Sequence, residues 1–203
     1  MKAVTQEQVN RKKLFTTKEM VTVSLLSALA YVLMLFEIPF INYLGFLKLD
    51  LSDIPAIVGG IAYGPIAGVF IELIKNLIKA ITATETAWIG ELANFLVSLG
   101  YIIPVAVIFN KFQFKRKALV AFACGTLGMM LAGCLVNYFI TLPLYAEIMG
   151  GMDKVVTFAS AGLSYIKDVP SLVILGITPF NFVKGIFISI LGYYTYIVIR
   201  KSL

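Results

Sequence analysis

Long apolar runs separated by short polar connectors recur along the chain from residue 17 onward, and they constrain the fold more than any other feature. They cover about 17–36, 65–83, 88–109, 118–145 and 178–199, with a shorter run at about 50–62. A bilayer core needs about 20 apolar residues per helical span. Hydrocarbon offers no partner to a backbone N–H or C=O, so such runs must be helices, which satisfy these groups internally. The expected fold class is therefore an all-α integral membrane protein with six transmembrane helices. The run at 50–62 is the weak point, because it is short for a span and must tilt or be shielded by its neighbours.

Composition excludes the main competing class. Hydrophobic residues make up 60% of the chain and charged residues 14%, against about 45–50% and about 25% in soluble domains. A soluble domain of 203 residues could not hide that much apolar surface. The reading is a polar cytoplasmic N-terminal tail over 1–16 and a single six-helix domain over 17–203. The run from Met20 to Phe36 is too long for a cleaved leader and reads as a retained first helix.

Charge sets the orientation. Lys2, Arg11, Lys12, Lys13 and Lys18 lie before the uninterrupted apolar part of the first run, which starts at Met20; Lys111, Lys115, Arg116 and Lys117 share one connector; Arg200 and Lys201 follow the last run. Basic connectors stay on the cytoplasmic side. Four runs precede the middle cluster and two follow it, so an even number separates each pair of clusters. This places both termini in the cytoplasm. The external loops are then about 37–49, 84–87 and 146–175. The net charge of +6 is thus a topology signal, and no nucleic-acid partner is expected.

The chain has no histidine, which removes imidazole catalysis and His-ligated metals. Cys124 and Cys134 match neither a zinc nor a disulfide pattern and are expected as small buried hydrophobes. No nucleophile–base pair, phosphate loop or metal cluster stands out. No catalytic residue and no metal site are assigned, and active transport through this chain would draw its energy from elsewhere.

Polar residues inside the apolar runs are the candidate functional groups, since charge at membrane depth must face protein or water. In VFIELIKNLIK, Glu72, Lys75, Asn76 and Lys79 share a helix face. They form either a structural ion pair of Glu72 with Lys75 or Asn76, with Lys79 snorkelling, or the polar lining of a cavity. Thr178-Pro179 reads as an N-cap and first helical position, with Asn181 and Lys184 on one face just inside. Asn137 lies among Tyr138, Phe139 and Tyr145. Few polar groups amid many aromatic ones suit a flat, mostly apolar molecule with one polar edge; the alternative is interhelical hydrogen bonding. Ser24 and Ala28, like Gly60, Gly64 and Gly68, are spaced by four, which permits close helix contact either within the chain or with a partner.

FLKLDLSDIPAIVGG (Phe46–Gly60), the Tyr63-Gly64-Pro65 turn, GCLVNYF (Gly133–Phe139) and TPFNFVKG (Thr178–Gly185), in this order, resemble the riboflavin-specific substrate-binding subunit, or S component, of energy-coupling factor (ECF) transporters. The resemblance covers nearly the whole chain after Lys18. It implies the S-component fold in a bacterial cell membrane and riboflavin as transported substrate, with its phosphate FMN as a second candidate and no catalytic cofactor. It also implies a transmembrane coupling protein and two cytoplasmic ATPases as partners. By motif matching, Asn137, Asn181 and Lys184 grip the polar edge of the flavin ring. Leu47, Lys48 and Leu49 of the first external loop contact the ligand, Lys48 toward the ribityl hydroxyls or a phosphate. Ser24 and Ala28 dock the coupling protein, Ser24 replacing the family's usual alanine. The alternatives are an S component for another vitamin or, from other classes, a six-helix membrane enzyme or a channel.

Overall fold

The computed structural model describes residues 14–39 and 47–202, the last four by their backbone alone. The basic residues Lys2, Arg11, Lys12 and Lys13, the middle of the first expected external loop, and the side chains of Arg200 and Lys201 lie outside the described residues.

The first helix, α1 (Thr17–Met34), begins at a capping box. Thr16 Oγ1 accepts from the Glu19 amide, and the Glu19 carboxylate accepts from the Thr16 amide. The chain then makes a two-residue antiparallel ladder, β1 (Ile38–Pro39) with β2 (Lys48–Leu49), pairing Ile38 with Leu49 and Pro39 with Lys48. This ladder closes the loop between 37 and 49 at its base. The short run becomes α2 (Asp53–Tyr63), only 11 residues long. Gly64, at φ +98°, turns the chain directly into α3 (Pro65–Thr82), a conformation that glycine adopts without steric cost.

Helices α4 (Ile89–Lys111) and α5 (Lys117–Val136) are joined by the basic connector. They cross at Gly100 and Gly128, where a Cβ on Gly128 would lie 2.1 Å from the Gly100 carbonyl oxygen. Only bare backbone fits there, and that contact sets how closely the two helices pack. Gly60 and Gly68 serve the same end inside the chain. A Cβ on Gly68 would meet Ile102 of α4 at 2.6 Å and the Gly60 Cα at 3.3 Å. Ser24 and Ala28, by contrast, are exposed on α1 beside Leu25 and Leu29.

After α5 the helix does not stop. Residues Asn137–Thr141 form one wide π-type turn that runs into α6 (Leu142–Met149). The Gly150-Gly151 pair breaks the chain with positive φ at both residues, and α7 (Met152–Gly162) follows. Asp168 caps α8 (Val169–Ser171), which passes through a second π-type turn, Leu172–Ile177, into α9 (Thr178–Ser202). The stretch expected as a long external connection is thus itself largely helical.

Thr178 is consequently not an N-cap. It sits within continuous helical backbone at φ −64°, ψ −49°, and the helix start lies ten residues earlier at Asp168. Pro179 is accommodated instead by the wide turn before it. A proline inside a helix removes one hydrogen bond and crowds the carbonyl four residues back, and a π-type turn relieves both. The Thr178 amide and its Oγ1 (2.8 Å) both donate to the Val173 carbonyl. The first wide turn repeats the arrangement, with Pro143 two residues after Thr141 and Thr141 Oγ1 reaching the Val136 carbonyl at 3.4 Å.

Four helical stretches among the described residues are long and apolar enough to cross a membrane: Thr17–Met34, Ile89–Lys111, Lys117–Met149 and Val169–Val198. Helix α3 has the length but carries Glu72, Lys75 and Lys79, and α2 is too short to span unaided. One hydrophobic cluster around Tyr101, Ile57 and Met129 ties α1–α5 to α9. A second, around Leu142, Ile166 and Leu172, packs α6–α8 and the start of α9 with Leu47. Cys124 and Cys134 are free and half-buried.

Candidate functional site

A cavity opens between the two clusters, and five of the six sequence-assigned ligand residues line it: Leu47, Lys48, Asn137, Asn181 and Lys184. They come from the first loop, the first wide turn and α9. Leu49 does not reach the cavity; its backbone pairs with Ile38 in the ladder. Ser24 and Ala28 lie elsewhere, on the exposed face of α1.

The two asparagines are buried and held by their own helices. Asn137 Nδ2 donates to the Gly133 carbonyl at 2.8 Å, and Asn181 Nδ2 to the Ile177 carbonyl at 2.9 Å. Each bond uses one of two amide hydrogens and leaves the side-chain oxygen available. The helices meet at this point because Gly133 has no side chain: a Cβ there would lie 2.4 Å from Asn181 Nδ2. Phe180 and Tyr145 supply aromatic wall.

Lys184 stands on a buried ionic floor. Its Nζ lies 3.3 Å from Asp50 Oδ2 and 3.4 Å from Asp53 Oδ2. Asp53 Oδ1 in turn accepts from Lys75 Nζ at 2.6 Å and Ser98 Oγ at 2.9 Å. Lys75 also reaches Glu72 at 2.8 Å and Ser52 Oγ at 2.7 Å. Asp50 Oδ1 accepts both the amide and the hydroxyl of Ser52. Lys75, Asp53 and Glu72 are fully buried. Isolated charges in such surroundings would be prohibitive, so the alternation of sign is what makes the cluster tenable. The α3 face therefore serves both readings of the sequence. Glu72 and Lys75 form the structural ion pair, and the network they belong to ends on a cavity-lining lysine.

A second chain of charges crosses the cavity's more exposed rim. Lys79 Nζ lies 2.5 Å from Glu37; Lys48 Nζ lies 2.5 Å from Glu37 and 2.6 Å from Glu85. Lys79 thus ends on a carboxylate instead of snorkelling to water. Burial works to lower the Lys48 pKa, but the bonds to Glu37 and Glu85 outweigh it and raise the value above the usual 10.5. The hydrogen bond from Lys48 holds the Glu85 carboxyl below its ordinary value. The 84–87 connector that carries Glu85 is shaped by threonines. Thr84 Oγ1 accepts the Trp88 amide at 3.1 Å, and Thr86 Oγ1 accepts the Gly90 amide at 2.9 Å. These bonds hold Ala87 and Trp88 at positive φ, a strained backbone of the kind found around binding sites.

Sequence reasoning missed Asp50, Glu37 and Glu91 as cavity groups, and Asp53 as the carboxylate behind Lys184. Asp50 and Asp53 stand in FLKLDLSDIP at the start of an apolar run. An acid at membrane depth asks for a named partner, and that question would have singled them out.

Comparison with known proteins agrees with this architecture. The family model for the ECF transporter, substrate-specific component, matches residues 18–196. The riboflavin transporter FmnP of Bacillus subtilis (strain 168) is 36% identical over 175 residues, covering 85% of this chain and 87% of the relative. The riboflavin transporter RibU of Staphylococcus aureus (strain TCH60) is 30% identical, covering 85% of each. A solved structure described as the S component of a bacterial ECF transporter superposes with a TM-score of 0.72 at 30% identity, over 91% of this chain and 96% of that one. These are transport components, not enzymes. The fold and the match over most of the chain agree: this protein belongs to the substrate-specific components of ECF transporters.

Proposed function

We propose that this protein is the riboflavin-binding membrane subunit of an ATP-driven importer in the bacterial plasma membrane. It captures the vitamin in the cavity between α4, α5 and α9. The observation that carries the reading is the convergence of Asn137, Asn181 and Lys184 on one cavity in a chain whose relatives are named riboflavin transporters. The pyrimidine-like edge of the flavin ring presents two carbonyls and one N–H. Two asparagine amides both donate and accept, and an ammonium has three donors. Lys184 donates to Asp50 and lies 3.4 Å from Asp53 without a hydrogen bond to it, which leaves donor capacity for a ring carbonyl. The aromatic wall suits the apolar face of the ring.

Six spans with both termini cytoplasmic fit the three basic clusters. Helices α2 and α3 supply the second and third spans, with α3's charges turned inward against Asp53 and Lys184 and away from lipid. ATP hydrolysis belongs to two separate cytoplasmic ATPases, coupled through a transmembrane protein that docks on the exposed Ser24–Ala28 face of α1. Purification in mild detergent tests the central claim: the protein should emerge yellow, with the absorbance bands of bound flavin. A colourless protein that binds riboflavin no tighter than about 1 mM, equivalent to about 4 kcal/mol, would sink it. Replacing Asn181 and Lys184 together by alanine should abolish the colour.

A further inference from the structure

The charges around the cavity are not evenly paired, and the imbalance points to one residue. Three lysines line the cavity, and all three are engaged: Lys48 by Glu37 and Glu85, Lys79 by Glu37, Lys184 by Asp50 and Asp53. Glu91, in the first turn of α4, also lines it. It is 5% exposed, and no lysine or arginine among the described residues lies within ion-pair distance. Its Oε2 accepts from two hydroxyls, Thr84 Oγ1 at 3.0 Å and Thr86 Oγ1 at 3.2 Å. Its Oε1 has no hydrogen-bond donor among the described residues. Residues 40–46, the part of the loop outside the described residues, read FINYLGF and bring no charge.

A buried carboxylate that lines a cavity and already draws on hydroxyl donors is a receptor for further hydroxyls. It also repels an anion, and no lysine at this cavity is free to compensate. Along the cavity, exposure increases from Lys184, whose side chain is 7% exposed, to Glu85 at 71%. Glu91 lies toward the Glu85 end, bonded to the same connector. A flavin with its polar ring edge at Lys184 extends its tail toward that end.

We propose that Glu91 is the specificity-determining residue for the flavin's tail: its carboxylate accepts hydrogen bonds from the ribityl hydroxyls and disfavours a tail that ends in phosphate. The proposal rests on the riboflavin reading above. It revises the expectation that Lys48 would receive a phosphate, because that ammonium is held between two glutamates.

The test compares three ligands on the wild-type protein and on Glu91→Gln, an isosteric change that keeps an acceptor for Thr84 and Thr86. The ligands are riboflavin, its phosphate ester FMN, and lumiflavin, which has the ring but a methyl group in place of the tail. Binding is read by quenching of flavin fluorescence. Glu91→Gln should weaken riboflavin about tenfold, the loss expected for a hydrogen bond to a charged acceptor, and leave lumiflavin unchanged. The wild-type preference for riboflavin over FMN, expected at about tenfold or more from like-charge repulsion, should shrink in the variant. Equal weakening of riboflavin and lumiflavin would show that Glu91 only shapes the pocket, and would overturn the proposal. Unchanged affinity for riboflavin, or an unchanged riboflavin-to-FMN ratio, would overturn it as well. If the wild-type protein bound neither riboflavin nor lumiflavin, the riboflavin reading itself would fall and this proposal with it.

Discussion

Gly133 makes room for Asn181, and a single methyl group there is a sharp probe of the cavity. In Gly133→Ala the new Cβ would sit 2.4 Å from Asn181 Nδ2, so the amide must rotate off the Ile177 carbonyl or the helices must part. Overpacking of this kind costs about 1–3 kcal/mol. Riboflavin affinity, read by fluorescence titration, should fall by about tenfold or more, and an unchanged Kd would place the ligand elsewhere. The two ionic clusters make a second contrast. Lys75→Met leaves Asp53 and Glu72 buried without their shared cation, which should cost about 3–5 kcal/mol in detergent unfolding. Lys48→Met removes a partner from Glu85, whose side chain is 71% exposed, and should cost about 1 kcal/mol or less. Equal losses would mean the floor is wetter than its burial implies. Asn181 and Lys184 were legible in the sequence because three residues on one helix is a local spacing. The Asp50–Lys184 pair was not, because 134 positions separate its members and no periodicity carries across that distance.

Among elements, the Gly100–Gly128 crossing determines how α4 and α5 present the cavity wall. Alanine at Gly128 would push its Cβ to 2.1 Å from a backbone oxygen, which cannot step aside as a side chain can. Gly128→Ala should therefore destabilise by at least about 1–3 kcal/mol, measured as a lowered Tm, and an unshifted Tm would contradict the crossing. The apolar runs that became α1, α4, α5 and α9 were readable from length and hydropathy alone. What escaped was the stretch at 146–175. Its mixed polarity resembles a loop, yet Val155 and Ala159 of α7 are buried, and one buried stripe on a half-exposed helix leaves a weak signal in 11 residues. The start of the last helix was misplaced for a related reason. Thr-Pro is a sound N-terminal signal, and only the wide turn before it, set by tertiary packing, lets the helix run through.

For the whole molecule, orientation and the rim charges yield the tests. With Cys124 and Cys134 replaced, a cysteine at Glu85 should react with a membrane-impermeant maleimide in intact cells, and one at Lys115 only after permeabilisation. The reverse pattern would invert the topology. The rim should also be sensitive to acid. The Glu85 carboxyl is held below its ordinary 4.5, so its contribution is complete above that pH and is lost as the pH falls through the lowered value. The Lys48 ammonium is raised above 10.5, so its share is complete below that and is lost only as the pH rises past the raised value. The Lys48–Glu85 pair is thus at full strength between about pH 4.5 and 10.5. Riboflavin release, followed by the return of fluorescence, should accelerate below that window, and Lys48→Met should flatten the response. A wild-type release rate constant through acid pH would dissociate the rim from ligand retention.

The two wide turns have a consequence for phase. Each holds one residue more than an ordinary helical turn, and each lies next to a cavity asparagine: Asn137 opens the first, and Asn181 follows the second by four positions. Deleting one residue from 172–177 would restore regular pitch and swing everything after it by about 100° around the helix axis. Asn181 and Lys184 would then aim away from the cavity although every residue that contacts it was still present. Part of this protein's selectivity is therefore stored as a count of residues, in a stretch of plain apolar sequence whose length matters apart from the identity of its buried side chains.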